Sequence, residues 1–147
     1  MIDHPIIQGY IQGNEFGRFL GMDFTIEAKG RVVYKMVVTE KHLATPITAH
    51  GGVIAALADA GLGVGALSVS AEYGNVVSTV EFKISYISPA RLNDELTLES
   101  TLVKSGRSIV FMEAKIVNQR NELVATANGT FNQYPIDKLL STFNSNL

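Results

Sequence analysis

Between Lys41 and Glu72 the chain carries one charged side chain, Asp59. It stands inside an apolar run, from Ala49-His50-Gly51-Gly52 to Leu67, that reads as a single helix over 49–67. A helix that is apolar all round is usually buried, so Asp59 is expected in or beside a core. A carboxylate there is costly to ionise and needs partners or a shifted pKa; chemistry is one common reason to keep it. The run opens on His50-Gly51-Gly52, after Thr45, Pro46 and Thr48, which suits a helix entry. Glycines there let a ligand approach free backbone N–H groups, and a helix N-terminus favours negative charge. That combination can bind a developing oxyanion. A plainer reading stands beside each: the glycines only make a turn, or Asp59 is a satisfied structural carboxylate.

The same run is apolar enough to raise a membrane span. Asp59 at its middle and the dominance of Gly and Ala argue against one, since charges inside spans are rare and expensive. The 147 residues fit a single domain, 1–147, and a 46% hydrophobic, 18% charged composition is that of a globular protein. A net charge of −2 leaves no broad basic footprint for nucleic acid. With no cysteine, disulfides, thiolate metal sites and a cysteine nucleophile are excluded. The start, Met1-Ile2-Asp3-His4-Pro5, lacks the pattern of a signal peptide, so a cytoplasmic location is expected.

Around the central helix the periodicity gives an N-terminal amphipathic helical segment over about 3–20, broken near Gly13 or Gly17. Strands follow at 22–28 and 31–38. After the helix, Val80, Phe82, Ile84 and Tyr86 alternate with Thr79, Glu81, Lys83 and Ser85, a strand with one wet face. Ser88-Pro89-Ala90 and Asn93-Asp94 bracket an exposed crossing. Strands at 96–102, 109–117 and 123–134 are joined by hairpin-length turns and so run antiparallel. The tail, 136–147, is expected to fray or to form a short helical turn. The class is α+β, one curved sheet wrapped around one long central helix.

These features together resemble the hotdog-fold acyl-CoA thioesterases, in particular the phenylacetate-pathway (PaaI-like) branch. The resemblance spans roughly 22–134. It is carried by His50-Gly51-Gly52 with Asp59 nine residues after the histidine, Tyr86-Ile87-Ser88-Pro89-Ala90, the turn Lys104-Ser105-Gly106-Arg107, and the closing Gly129-Thr130-Phe131. It implies hydrolysis of an acyl-CoA thioester without metal or cofactor. In that pattern the Gly51 amide holds the thioester carbonyl, and Asp59 is either the base that activates water or the nucleophile. Thr79 matches a hydroxyl position that orients water or carboxylate, and His50 orients the loop and the leaving group. Gly52, Ser88, Pro89, Arg91, Lys104, Gly106 and Arg107 fall in segments that contact substrate, the basic ones at the nucleotide end of CoA. The same Lys and Arg residues could equally be solvated turn residues.

One position departs from the pattern. In the family it resembles, Asn or Gln usually stands six residues before the histidine, and this chain has Ala44, whose side chain neither donates nor accepts. Thr45, Thr48 or His42 could stand in; otherwise the domain is a catalytically weak acyl-CoA-binding module, a sensor or scaffold. Helix geometry adds a constraint. Gly51 and Asp59 are eight residues apart, about 12 Å along a helix axis, whereas both must act within about 3.5 Å of one carbonyl carbon. Two such helices antiparallel across a two-fold axis satisfy this, as in the interface sites of hotdog dimers. A homodimer, with a dimer of dimers as the larger option, is the expected assembly.

Overall fold

The structure, a computed structural model, describes residues 1–145. Two short helices, α1 (Pro5–Gly13) and α2 (Glu15–Leu20), precede strands β1 (Asp23–Ala28) and β2 (Arg31–Val37). The long helix α3 (Gly51–Ser70) follows, then β3 (Asn75–Tyr86), β4 (Glu95–Ser105), β5 (Ile109–Val117), β6 (Leu123–Pro135) and α4 (Ile136–Ser145). The strands form one antiparallel sheet in the order β1-β2-β4-β5-β6-β3, curved around α3. This is the hotdog fold, and the hairpin series β4-β5-β6 is the one expected from the turn spacings.

The apolar run is the core helix. Leu57, Ala58, Leu62 and Ala66 of α3 are fully buried against Val32, Tyr34, Leu98 and Val110 of the sheet. Glycines let the helix lie close to the strands. A Cβ on Gly61 would sit 2.2 Å from Leu98, and one on Gly65 would sit 2.4 Å from Met112. Buried hydroxyls fix its rotation: Ser100 Oγ donates to the Gly61 carbonyl at 2.8 Å, and Ser68 Oγ accepts the Gly30 N–H at 2.8 Å. The half-buried face of α3, through Ala55, Ala56, Asp59, Ala60 and Gly63, is thereby turned toward β3 and solvent.

Several boundaries differ from the sequence expectation, each for a local reason. The N-terminal segment breaks at Asn14, between the two glycines. Its Oδ1 accepts the Gly17 N–H at 3.0 Å, and a Cβ on Gly17 would collide with that cap at 2.2 Å. α3 starts at Gly51, with His50 as its cap, and runs on to Ser70. The crossing after β3 is not wholly exposed: Ala90 and Asp94 are buried, and Asp94 accepts the Arg91 N–H at 2.8 Å. The tail forms the ten-residue amphipathic helix α4 as far as Ser145, while 146–147 lie outside the described residues.

The most consequential difference is in β3. The strand begins at Asn75, and its register with β6 slips between Thr79 and Glu81. This bulge reverses the alternation: Val77 and Thr79 face α3 before it, Phe82, Ile84 and Tyr86 after it. A continuous alternation would put Thr79 on the wet face and Val80 inward. Instead Thr79 turns toward Asp59, and Val80 is 59% exposed. β3 is also an edge strand, paired with β6 on one side only.

Candidate active site

The first half of the site is the start of α3. His50 has extended backbone, φ −64° and ψ 136°, and its Nδ1 accepts the Gly52 N–H at 2.7 Å. With Nδ1 accepting, the ring proton lies on Nε2, on the exposed side. Gly52 is required by this cap, since a Cβ there would stand 2.9 Å from His50 Nδ1. Neither Gly51 nor Gly52 has positive φ, so a tight turn does not account for them. The Gly51 N–H, first of the helix, donates to no group among the described residues, and the Gly52 N–H is spent on His50. A single free amide, with the helix dipole behind it, faces out.

Tyr86, expected as an inward residue of its strand and as part of the Tyr86-Ile87-Ser88-Pro89-Ala90 motif, packs beside Gly51. Its hydroxyl donates to the Gly51 carbonyl at 2.7 Å, and its ring lies 3.4 Å from where a Gly51 Cβ would be. The approach to the helix is equally fixed. The His50 N–H donates to the His42 carbonyl at 2.7 Å, and Ala49 N–H to the Ala90 carbonyl at 2.8 Å. Ser88, Pro89 and Arg91 therefore lie at this end, Arg91 bridging to Thr48.

Of the three candidates to replace the absent amide at Ala44, His42 and Thr45 are spent and only the Thr48 hydroxyl keeps a proton to donate. His42 is buried, its Nε2–H donating to the Leu20 carbonyl and its Nδ1 accepting from Thr39, both at 2.9 Å. Thr45 and Thr48 hydrogen-bond to each other, and Thr45 Oγ1 accepts the Thr48 N–H at 3.0 Å.

The second half is midway along α3. Asp59 is half-buried, less enclosed than an all-apolar helix implies, and Oδ1 accepts from Thr79 Oγ1 at 2.8 Å. The pair stands at one end of a cavity of about 550 Å³, walled by apolar side chains of α1, α3, β3, β6 and α4. Tyr10 of α1 reaches into it, its hydroxyl 3.3 Å from that of the fully buried Tyr34. Burial pushes the Tyr10 phenol upward, and the Asp59 charge adds to the rise. Both phenols are thus neutral hydrogen-bonding groups.

Lys104 lies within β4, paired with Phe111, so the turn is shorter than the sequence suggests; Gly106 and Arg107 belong to it, and the Gly106 carbonyl accepts from Gln133 Nε2 at 2.7 Å. Gln133 is opposite Val77, so the turn lies toward the Thr79 end of the sheet. The two halves do not meet within one chain. Thr79 and Tyr86, each bonded to its part of α3, are seven residues apart on β3, about 23 Å of strand. His50, Gly51, Gly52, Ser88, Pro89 and Arg91 stand at one end, and Asp59, Thr79, Lys104, Gly106 and Arg107 toward the other.

Known proteins share this framework. The Escherichia coli PaaI protein from the phenylacetic acid degradation operon has the same fold, with a TM-score of 0.80 over 86% of this chain and 89% of that one, at 24% identity. A hypothetical thioesterase from Streptococcus pneumoniae, solved with coenzyme A, is 29% identical with a TM-score of 0.69 over 77% and 87%. Human acyl-coenzyme A thioesterase 13 is 29% identical over 127 residues, 85% of this chain and 89% of the relative. Residues 48–125, from the approach to α3 into β6, match the family model described as the thioesterase superfamily. By that match, more than half its length, the chain belongs to the thioesterase superfamily.

Proposed function

We propose that the protein hydrolyses the thioester of a small-to-medium or aromatic acyl-CoA, at sites that each draw on two chains. The observation that carries the reading is the pairing of a free Gly51 amide with a carboxylate oriented by Thr79, on one helix too straight to bring them together. The free edge of β3 offers the remedy. A two-fold axis beside Ala55 and the Phe82–Lys83 bond would set Gly51 of one chain against Asp59 of the next, and Tyr86 against Thr79. Both cross-links between α3 and β3 obey that one axis, and the small, half-buried Ala55 and Ala56 leave room for it. The same operation would bring Ser88, Pro89 and Arg91 of one chain toward Lys104, Gly106 and Arg107 of the other. Arg107 and Lys104 are exposed and in no ion pair among the described residues. They suit the phosphates of CoA.

In this reading the Gly51 N–H polarises the thioester carbonyl and holds the oxyanion as it forms. Thr79 occupies Oδ1 of Asp59, so Oδ2 meets the reactants. Asp59 takes a proton from water as the oxygen adds to the carbonyl carbon; the C–S bond then breaks, and the proton passes to the departing thiolate. In the other form Asp59 attacks directly, expelling the thiolate and leaving a mixed anhydride that water cleaves. In either form the His50 Nε2–H stabilises the departing sulfur, a role supported by its exposed position beside Gly51. No metal is needed.

The missing amide at Ala44 favours a second reading, a module that holds acyl-CoA and turns it over feebly. One experiment separates them: purified protein is given short, aromatic and long acyl-CoAs, and free thiol is followed alongside binding. Multiple-turnover thiol release that depends on Asp59 is expected. Tight binding with no release from any acyl-CoA would overturn hydrolysis in favour of the module.

A further inference from the structure

We infer that α4 fixes the length of the acyl group, with Leu139 as the specificity-determining side chain. The inference rests on the thioesterase reading and adds to it an assignment of the far end of the cavity. Asp59 and Thr79 stand at the reacting end. From Asp59 the wall follows α3 past Gly63 to Leu67, eight residues or about 12 Å. The β3 wall runs from Thr79 back to Val76. Asn75 pairs with Pro135, and the Ile136 N–H donates to the Gly74 carbonyl at 3.0 Å, so α4 begins where the β3 wall ends. Ile136 thus lines the end remote from the carboxylate, and Leu139, one helical turn further along α4, lines the same cavity.

The two helices that cover the cavity are held differently. α1 is anchored by Ile7, fully buried against Leu67 and Ala71. α4 has no buried residue; Leu140 and Phe143 are 50% and 62% exposed, while Ile136 and Leu139 face the cavity. Gly63 leaves the middle of the wall low, since a Cβ there meets nothing nearer than Phe131 at 3.6 Å. An acyl chain entering between Asp59 and Tyr10 thus runs along α3 past Gly63 toward Leu139. Within that distance each methylene that leaves water is worth about fourfold in affinity; beyond it, further methylenes gain nothing.

The test measures kcat/KM for straight-chain acyl-CoAs from butanoyl to hexadecanoyl on wild type, Leu139→Trp, Leu139→Ala and Leu140→Trp. Leu139→Trp is expected to shorten the preferred chain and to lower the long-to-short ratio by roughly tenfold or more, the value of two methylenes. Leu139→Ala moves the preference to longer chains, and Leu140→Trp, on the outer side, moves it in neither direction. Loss by one common factor at every length, or an unmoved profile, overturns the inference. If wild type releases no thiol at all, the thioesterase reading fails instead. Binding of non-hydrolysable acyl-CoA thioethers then gives the same length profile, and the same shifts decide the role of Leu139.

Discussion

The start of α3 and its middle each hold half of a site, and the two halves are built by different means. At the start everything is local. A histidine caps the helix, the second glycine makes room for its ring, and the first N–H is left over because any helix leaves it. At the middle everything is tertiary. Asp59 is aimed by the rotation that Ser100 and two glycines impose on α3, and Thr79 by a bulge in a strand twenty residues on. The difference teaches that a donor of charge stabilisation can come free with a helix end, whereas an oriented carboxylate has to be supported from several elements. The two halves should therefore fail differently.

The middle should fail hardest. Asp59→Asn keeps an oxygen for the Thr79 hydroxyl but neither takes a proton nor attacks, so thiol release should fall by about 10²–10⁴-fold. Its melting temperature should stay close to wild type. A loss of only two- or threefold would make Asp59 structural, as would a large drop in melting temperature. Gly51→Pro removes the other half cleanly, because proline suits the first helical position and that N–H has no partner to lose. When the two inactive variants are mixed and exchange subunits, half the dimers are mixed and each has one intact site. Activity should return to about a quarter of wild type for two-fold sites. No recovery despite exchange would place both groups in one chain's site.

Thr79→Val tests the bulge more gently. It removes a hydrogen bond to a charged group, a contribution of about 1.5–3 kcal/mol, so kcat should fall by roughly ten- to a hundredfold and Thr79→Ser should restore it. Equal activity in Thr79→Val would mean that Asp59 needs no orientation from β3. At the other end, His50→Ala loses a helix cap worth about 1 kcal/mol, or about 3 °C in a domain of this size. His50→Asn keeps the cap acceptor but not the Nε2–H. Restored melting temperature with activity still reduced would assign the ring proton to the reaction; recovery of both would leave His50 a cap alone.

That contrast also explains what could be read from the sequence. The strands at 109–117 and 123–134 and the core helix show themselves because period and turn chemistry are local properties. Asp59 stands out because it breaks the composition around it, and Gly51 because it follows a histidine at a helix entry. The facing of Thr79 could not be read, since the alternation in 79–86 places Val80 inward and only the pairing with β6 reveals the slip. Tyr86 looked like the inward end of that alternation, which it is, but its hydroxyl's target on Gly51 is set by tertiary approach. At Asn14 the legible signal is a preferred N-cap residue followed by an acidic first-turn residue, Glu15, which the flanking glycines mask.

The smallest effect concerns pH and should touch the start of α3 alone. His42 accepts the Thr39 N–H on Nδ1 and donates from Nε2 to the Leu20 carbonyl, so both ring nitrogens are committed in the neutral form. A proton on Nδ1 would face an N–H, and burial holds the His42 pKa below its ordinary 6.5. Above about pH 6.5 the ring is neutral in folded and unfolded chains, and the full stability is present. As pH falls below that value the unfolded chain takes up a proton that the native one refuses, so stability declines until the native value is also passed. Because the His42 carbonyl accepts the His50 N–H, the loosening should begin at the helix cap. Hydrogen exchange between pH 7 and pH 5, corrected for intrinsic rates, should show protection falling at the His50 amide before it falls around Asp59. In His42→Gln, which cannot titrate, the pH-dependent part of the decline in melting temperature should shrink. An identical decline in wild type and His42→Gln would shift the cause to the carboxylates, and simultaneous loss of protection at both ends would mean that the two halves of α3 open as one.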